Sequence, residues 1–140
     1  MLAQDGGSNS EMVSLSDEVI AYEDTIRKYA KEYDIEDYVT LLQAIMMQES
    51  GEKGNDPMQA SESGYNTKYP RVPNGITDPE YSIEVGTHTF SDCLKKAKVK
   101  DSSDTERIYL AMLSIPLSEV HAICYRSPHN PLKKSIFFKS

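Results

Sequence analysis

At 140 residues, 39% hydrophobic and 26% charged, the chain suits one globular domain with a single core. Its formal net charge of -7 argues against a nucleic-acid partner, which needs a basic surface. No apolar run approaches the ~20 residues of a membrane span, and no basic start followed by an apolar core marks a signal peptide.

Residues 1–15, rich in Gly, Ser, Asn and acidic side chains, read as a linker or N-terminal extension. Ser16 is a helix cap followed by Asp17 and Glu18 in the first turn, and Val19, Ile26, Tyr29, Ala30 and Tyr33 form the apolar stripe of one helix. A short break at Asp34-Ile35 leads into the most apolar run of the chain, Val39 to Met47. There Val39, Leu42, Ile45 and Met46 recur at helical spacing and define a buried helix. Glu49 lies four residues after Ile45 and three after Met46, so it projects from the apolar face. Gly51 stops the helix and leaves Glu49 in its last turn. Burial and the negative end of the helix dipole both disfavour an ionised carboxylate, so the pKa of Glu49 is expected to be raised. A carboxyl that stays protonated near neutral pH is what a general acid requires. The competing reading is a solvated Glu at a helix end.

Residues 51–75, with glycines, prolines and polar side chains throughout, are too long for a simple connector, and such loops in compact domains are usually functional. Asp56-Pro57-Met58-Gln59 reads as one short helical turn. Tyr65, Tyr69 and Arg71 either line a ligand cleft or pack the loop down. Asp78-Pro79-Glu80 opens the next helix, whose buried side is Ile83, Phe90, Leu94 and Ala97, with Gly86 allowing a close helix contact and a lysine run at its end. Ser103-Asp104-Thr105-Glu106 fits a capping box ahead of Ile108, Tyr109 and Met112. Two cysteines, Cys93 and Cys124, make neither a disulfide framework nor a metal site, and Cys93 falls on the apolar side of its helix as a buried free thiol. No metal or cofactor is expected. Beyond Met112 the prolines at 116, 128 and 131 interrupt regular structure, and the end is basic. No stretch alternates as a strand would, so the chain is expected to be mainly α.

Three blocks then carry a family resemblance: Gln48-Glu49-Ser50-Gly51, Asp56-Pro57-Met58-Gln59 and Asp78-Pro79-Glu80-Tyr81-Ser82-Ile83-Glu84-Val85-Gly86. In this order, on a helix, a loop and a helix, they resemble goose-type lysozymes and lytic transglycosylases. They are similar above all to the lysozyme-like muramidase domain of secreted cell-wall hydrolases of Gram-positive bacteria and their conjugative elements. The resemblance divides the chain into residues 16–111, a lysozyme-like domain, and 112–140, a non-matching tail. It implies that Glu49 protonates the glycosidic oxygen between N-acetylmuramic acid and N-acetylglucosamine. It also implies that Ser50 shapes the cleft and that Met58 and Gln59 contact the sugar, with Tyr65 beside them. The wall motif usually begins Gly-Leu, and here it begins Asp56-Pro57. A hydrolytic member also needs a carboxylate to activate water, for which Glu62 is the first candidate and Asp56 the second.

The implied partner is the glycan strand of peptidoglycan, met outside the cell or in the cell wall by a parent protein that supplies an export segment and often a peptidase domain. After Ala111 the family continues with an Ala/Gly-Tyr-Asn motif and further helices, which residues 112–140 do not match, as a frameshift, rearrangement or fusion would leave them. Four functions compete at this point, the last in rank being a cytoplasmic helical interaction domain, which leaves the three ordered blocks unexplained. The first is a muramidase. The second is a lytic transglycosylase, which needs no second carboxylate. The third is a truncated, inactive remnant that binds peptidoglycan.

Overall fold

The structure, a computed structural model, describes residues 15–50 and 54–113. Among them are five α-helices and no strand: α1 (Asp17–Ala21), α2 (Glu23–Glu32), α3 (Val39–Ser50), α4 (Pro79–Lys96) and α5 (Thr105–Leu113), with a short 3-10 helix at Glu36–Tyr38 ahead of α3. The fold is mainly α, as the apolar periodicity requires.

Local chemistry sets the helix ends. The Ser16 hydroxyl accepts from the Val19 N–H, and Asp78 accepts from the Glu80 N–H ahead of Pro79. The expected first helix is two: Tyr22 leaves helical geometry at ψ 2° and separates α1 from α2. Both α2 and α4 end on a residue in the left-handed region. Asp34 has φ 57° and Lys98 has φ 58°. In each case the next N–H reaches back five residues, Ile35 to the Ala30 carbonyl and Val99 to that of Leu94. The capping box at residues 103–106 does not form as read. The helix begins at Thr105, so Ser103 sits one residue too early, and its N–H and hydroxyl turn back to Asp101.

The core is a single cluster. Val19, Ile26, Ala30, Leu42, Met46, Ile83, Phe90 and Met112 are all inaccessible or nearly so. Helix α2 is the central packing element, with α3 on one side and α4 on the other, and α5 closes against α4. One polar tie reinforces the α2–α4 contact at the surface. Glu80 accepts from both Lys28 Nζ and the Tyr29 hydroxyl, each at 2.8 Å, and these two donors hold its carboxyl below the usual range. All four α3 residues named from the apolar stripe are buried, and so is Cys93, whose thiol is free and pushed up in pKa by burial. Cys124 and the residues beyond 113 lie outside the described residues.

Gly86 permits a close contact, but its neighbour is the α3–α4 loop, not a helix. A Cβ there would stand 2.6 Å from Met58 Cβ and 2.9 Å from its Cγ. Gly86→Ala is therefore expected to destabilise the domain by about 1–3 kcal/mol, because the near atoms are at the root of Met58 and cannot swing away. Urea denaturation checks this. A stability equal to wild type would mean that the loop seats on α4 by other contacts.

Candidate functional site

The site is built from the end of α3 and the loop that follows it. Glu49 is 4% exposed, in the last turn of α3 and on the face that also carries Ile45 and Met46. Ile45, one helical turn earlier, lines a small, mostly apolar crevice together with Met58, Gln59, Ser63 and Thr89. The described residues thus supply one wall, formed by the loop on α4, with α3 at its edge. Residues 51–53, directly after α3, and the side chain of Ser50 lie outside the description.

The loop is fixed by one buried carboxylate. Asp56 is 1% exposed and accepts four hydrogen bonds. They come from the Ala60 N–H (2.9 Å), the Ser61 N–H (3.3 Å), the Ser61 hydroxyl and the Ser82 hydroxyl (2.7 Å). Each hydroxyl is itself an acceptor, Ser61 Oγ from the Ile76 N–H (2.9 Å) and Ser82 Oγ from the Met58 N–H (3.0 Å). Asp56 therefore joins the start of the loop, its end at Ile76 and the first turn of α4 in one network. An acceptor-only carboxylate can satisfy four donors, and this is what makes its burial tolerable. Asn66 does the same for the middle of the loop. Its amide donates to the carbonyls of Ser61 and Tyr69 and accepts from the N–H groups of Lys68 and Tyr69.

The segment expected to be one helical turn at 56–59 is a single hydrogen-bonded turn, with the Gln59 N–H donating to the Asp56 carbonyl at 2.9 Å. It does not propagate because Gln59 takes φ 48°, a left-handed value uncommon outside glycine, asparagine and aspartate. Met58 is buried against Gly86, and Gln59 is half-buried at the crevice.

The three decorating side chains of the loop all help to pack it. Arg71 donates to the carbonyls of Asn66 and Gly64, and the Tyr69 ring lies against Tyr81 at 5.4 Å. Tyr65 stacks on His88 at 3.7 Å, and the other face of His88 stacks on Tyr33 at 4.4 Å. Burial, then Glu84, pushes the Tyr33 phenol up in pKa. Tyr65 remains 38% exposed, with Asp92 close to its hydroxyl; Lys96 first, and Tyr65 in part, hold the Asp92 carboxyl down. Of the two carboxylates considered for activating water, Asp56 has its oxygens occupied by loop donors, and Glu62 is exposed. Among the described residues, no three His, Cys, Asp or Glu side chains are grouped to hold a metal ion.

Sequence reading missed Ser61, Asn66, Asn74, Ser82 and His88. Of these, Asn74 had a local signal, the turn triplet Pro73-Asn74-Gly75, in which Gly75 is required because a Cβ would stand 2.1 Å from the Pro70 carbonyl oxygen. Ser82 and His88 meet partners far along the chain, whereas Ser61 and Asn66 make mostly short-range bonds inside a loop whose path no periodicity marks.

A buried acidic residue closing a core helix, walled by a loop seated on the next long helix, defines a lysozyme-like domain. The chain belongs to the lysozyme-like family, whose model matches residues 16–111. It is 40% identical over 92 residues to the bifunctional muramidase/DL-endopeptidase CwlT of Bacillus subtilis (strain 168), a match covering 66% of this chain and 26% of that protein. It is 35% identical over 79 residues to the uncharacterized membrane protein YocA of the same organism, covering 56% of this chain and 33% of that one. With a TM-score of 0.55 and 32% identity, 78% of the chain superposes on 39% of a solved protein from Staphylococcus aureus subsp. aureus Mu50, similar to lipoprotein, NLP/P60 family. The chain thus spans between 26% and 39% of the length of these relatives. No described helix is long and apolar enough to cross a membrane.

Two outcomes follow from the loop. Asp56→Ala leaves four donors without their acceptor, and is expected to cost at least about 2 kcal/mol in chemical denaturation. Gln59→Gly relieves a left-handed backbone but removes the side-chain bonds to Asp56 and Asn74 and frees the unfolded chain, so it is expected to lower stability by about 1 kcal/mol. A Gln59→Gly variant more stable than wild type would mean that the backbone strain outweighs those bonds.

Proposed function

We propose that this domain cleaves the glycan strand of peptidoglycan between N-acetylmuramic acid and N-acetylglucosamine, with Glu49 as the general acid. The observation that carries the reading is the position of Glu49. It is a buried carboxyl in the last turn of α3, one turn beyond the residue that meets Met58 and Gln59 at the crevice, in a chain of the lysozyme-like family. Burial penalises the ionised form of a carboxyl, which favours the protonated state that an acid must start from. Glu49 gives its proton to the glycosidic oxygen as the bond to the anomeric carbon breaks. The leaving sugar departs as an alcohol, and positive charge develops on the ring that stays behind. Met58 and Gln59 hold the sugar against the wall, with Ser50 and Tyr65 beside it.

In the hydrolytic version Glu62 draws a proton from the attacking water. An inverting geometry then needs the two carboxyls roughly 6.5–9.5 Å apart across the bound sugar. A second reading, lytic transglycosylation, is favoured by one observation: the Asp56 carboxylate is occupied by four donors from the loop and α4, so only the exposed Glu62 remains of the two bases considered. In that version a hydroxyl of the same sugar closes on the anomeric carbon and gives its proton to the Glu49 carboxylate, so no second carboxylate is required. The relative named for both a muramidase and an endopeptidase supports a parent protein in which this domain stands beside a peptidase and works in the cell wall.

Glu49→Gln keeps the shape of the side chain but has no acidic proton. It is expected to lower the rate of clearing of a peptidoglycan suspension by at least about 100-fold, within the usual worth of a general acid, and to leave folding intact. An active Glu49→Gln variant rejects the assignment. Mass analysis of the wild-type products decides between the versions. Hydrolysis adds one water to each cut, whereas transglycosylation adds none, and Glu62→Gln impairs only the former.

A further inference from the structure

The amide of Gln59 is held by both of its protons. Its Nε2 donates to the backbone carbonyl of Asp56 at 3.0 Å and to Asn74 Oδ1 at 2.8 Å. The surroundings dictate which end of the amide is which. A backbone carbonyl only accepts, so the atom facing Asp56 must be the nitrogen. That nitrogen has no acceptor capacity to offer Asn74, so Asn74 must present its oxygen. The Asp56 carbonyl belongs to a residue pinned by four other hydrogen bonds and also takes the Gln59 backbone N–H, so this side of the clamp is rigid. Asn74 completes the other side from a left-handed position, φ 59°, which asparagine tolerates well. With both protons engaged, what Gln59 can offer at the crevice is Oε1, an acceptor.

The geometry points to Asn74 as a positioning residue that makes Gln59 a one-sided reader: it accepts a hydrogen bond from a donor on the bound sugar, a hydroxyl or an acetamido N–H, and does not donate to a sugar carbonyl. This rests on the reading of the crevice as a glycan site. Asn74 does not touch the sugar. It acts by removing the flipped amide from the set of available states, so that no ordering of Gln59 is left to be done on binding.

Two measurements test it. The first needs no ligand: the side-chain amide protons of Gln59 are followed by NMR in 15N-labelled protein. Both are expected to be protected from exchange in the wild type and in Asn74→Asp, which keeps the acceptor. One is expected to lose protection in Asn74→Gly, which removes the side chain and keeps the left-handed backbone unstrained. The second is a cycle on glycan cleavage with purified peptidoglycan. Asn74→Gly is expected to raise KM about 2- to 10-fold, the worth of one neutral hydrogen bond, with kcat little changed. Asn74→Asp is expected to restore it, and the effect of Asn74→Gly is expected to vanish in a Gln59→Ala background. An Asn74→Gly effect of equal size in both backgrounds overturns the proposal, because Asn74 would then act on the loop and not through Gln59. Exchange-labile Gln59 protons in the wild type overturn the clamp. A wild-type chain that binds no glycan rejects the recognition half together with the function proposed for the site, while the NMR result still stands or falls alone.

Discussion

The structure of this domain turns on a carboxylate that does no chemistry in the proposed reaction. Asp56 is buried at the start of a long loop. Two of its bonds take the N–H groups at 60–61, one takes the Ser61 hydroxyl, which holds the far end of the loop at Ile76, and one takes the Ser82 hydroxyl on α4, which holds the Met58 N–H. A buried charge is costly unless its donors are all in place. The network therefore behaves as a unit, in which the loop is either seated on α4 with Asp56 satisfied or not seated at all. In the lysozyme-like family this loop follows the proposed catalytic glutamate, so a residue that looks from sequence like a second acid is the fastening of the first acid's neighbour.

Much of the scaffold was legible because its signals are local. A serine three residues before a satisfied N–H, a proline at the first helical position and an apolar residue every third or fourth place each act within one or two turns. The readings that needed correcting depended on register or on distant partners. The stripe from Val19 to Tyr33 is continuous on a wheel, yet the backbone breaks at Tyr22 without interrupting the buried face. Ser103 has the composition of a cap but lies one residue too far from Thr105. Gly86 announced a close contact, and nothing near it in sequence could say that Met58, on the loop, would fill the space.

The site divides in the same way. The buried position of Glu49 was legible because its helix is, and Met58 and Gln59 were singled out because they stand in a motif with a family likeness. The parts that hold them were not. Ser82 serves Asp56 across 26 residues of chain, His88 receives Tyr65 between two rings, and Asn74 meets Gln59 only because two left-handed turns bring them together. A single sequence shows which side chains can do chemistry. The contacts that restrict them to one orientation come from the tertiary fold.

One further consequence lies in how α3 and α4 are separated. The helix bearing Glu49 and the helix bearing the wall both pack on α2. Helix α2 is in effect a gauge block: its buried Ile26 and Ala30 belong to the one core that α3 and α4 share. Because interiors are close-packed, a methylene added or removed there is passed on as a displacement of whole helices and is not absorbed locally. The relative placement of the two helices is thus written in residues hidden inside the core.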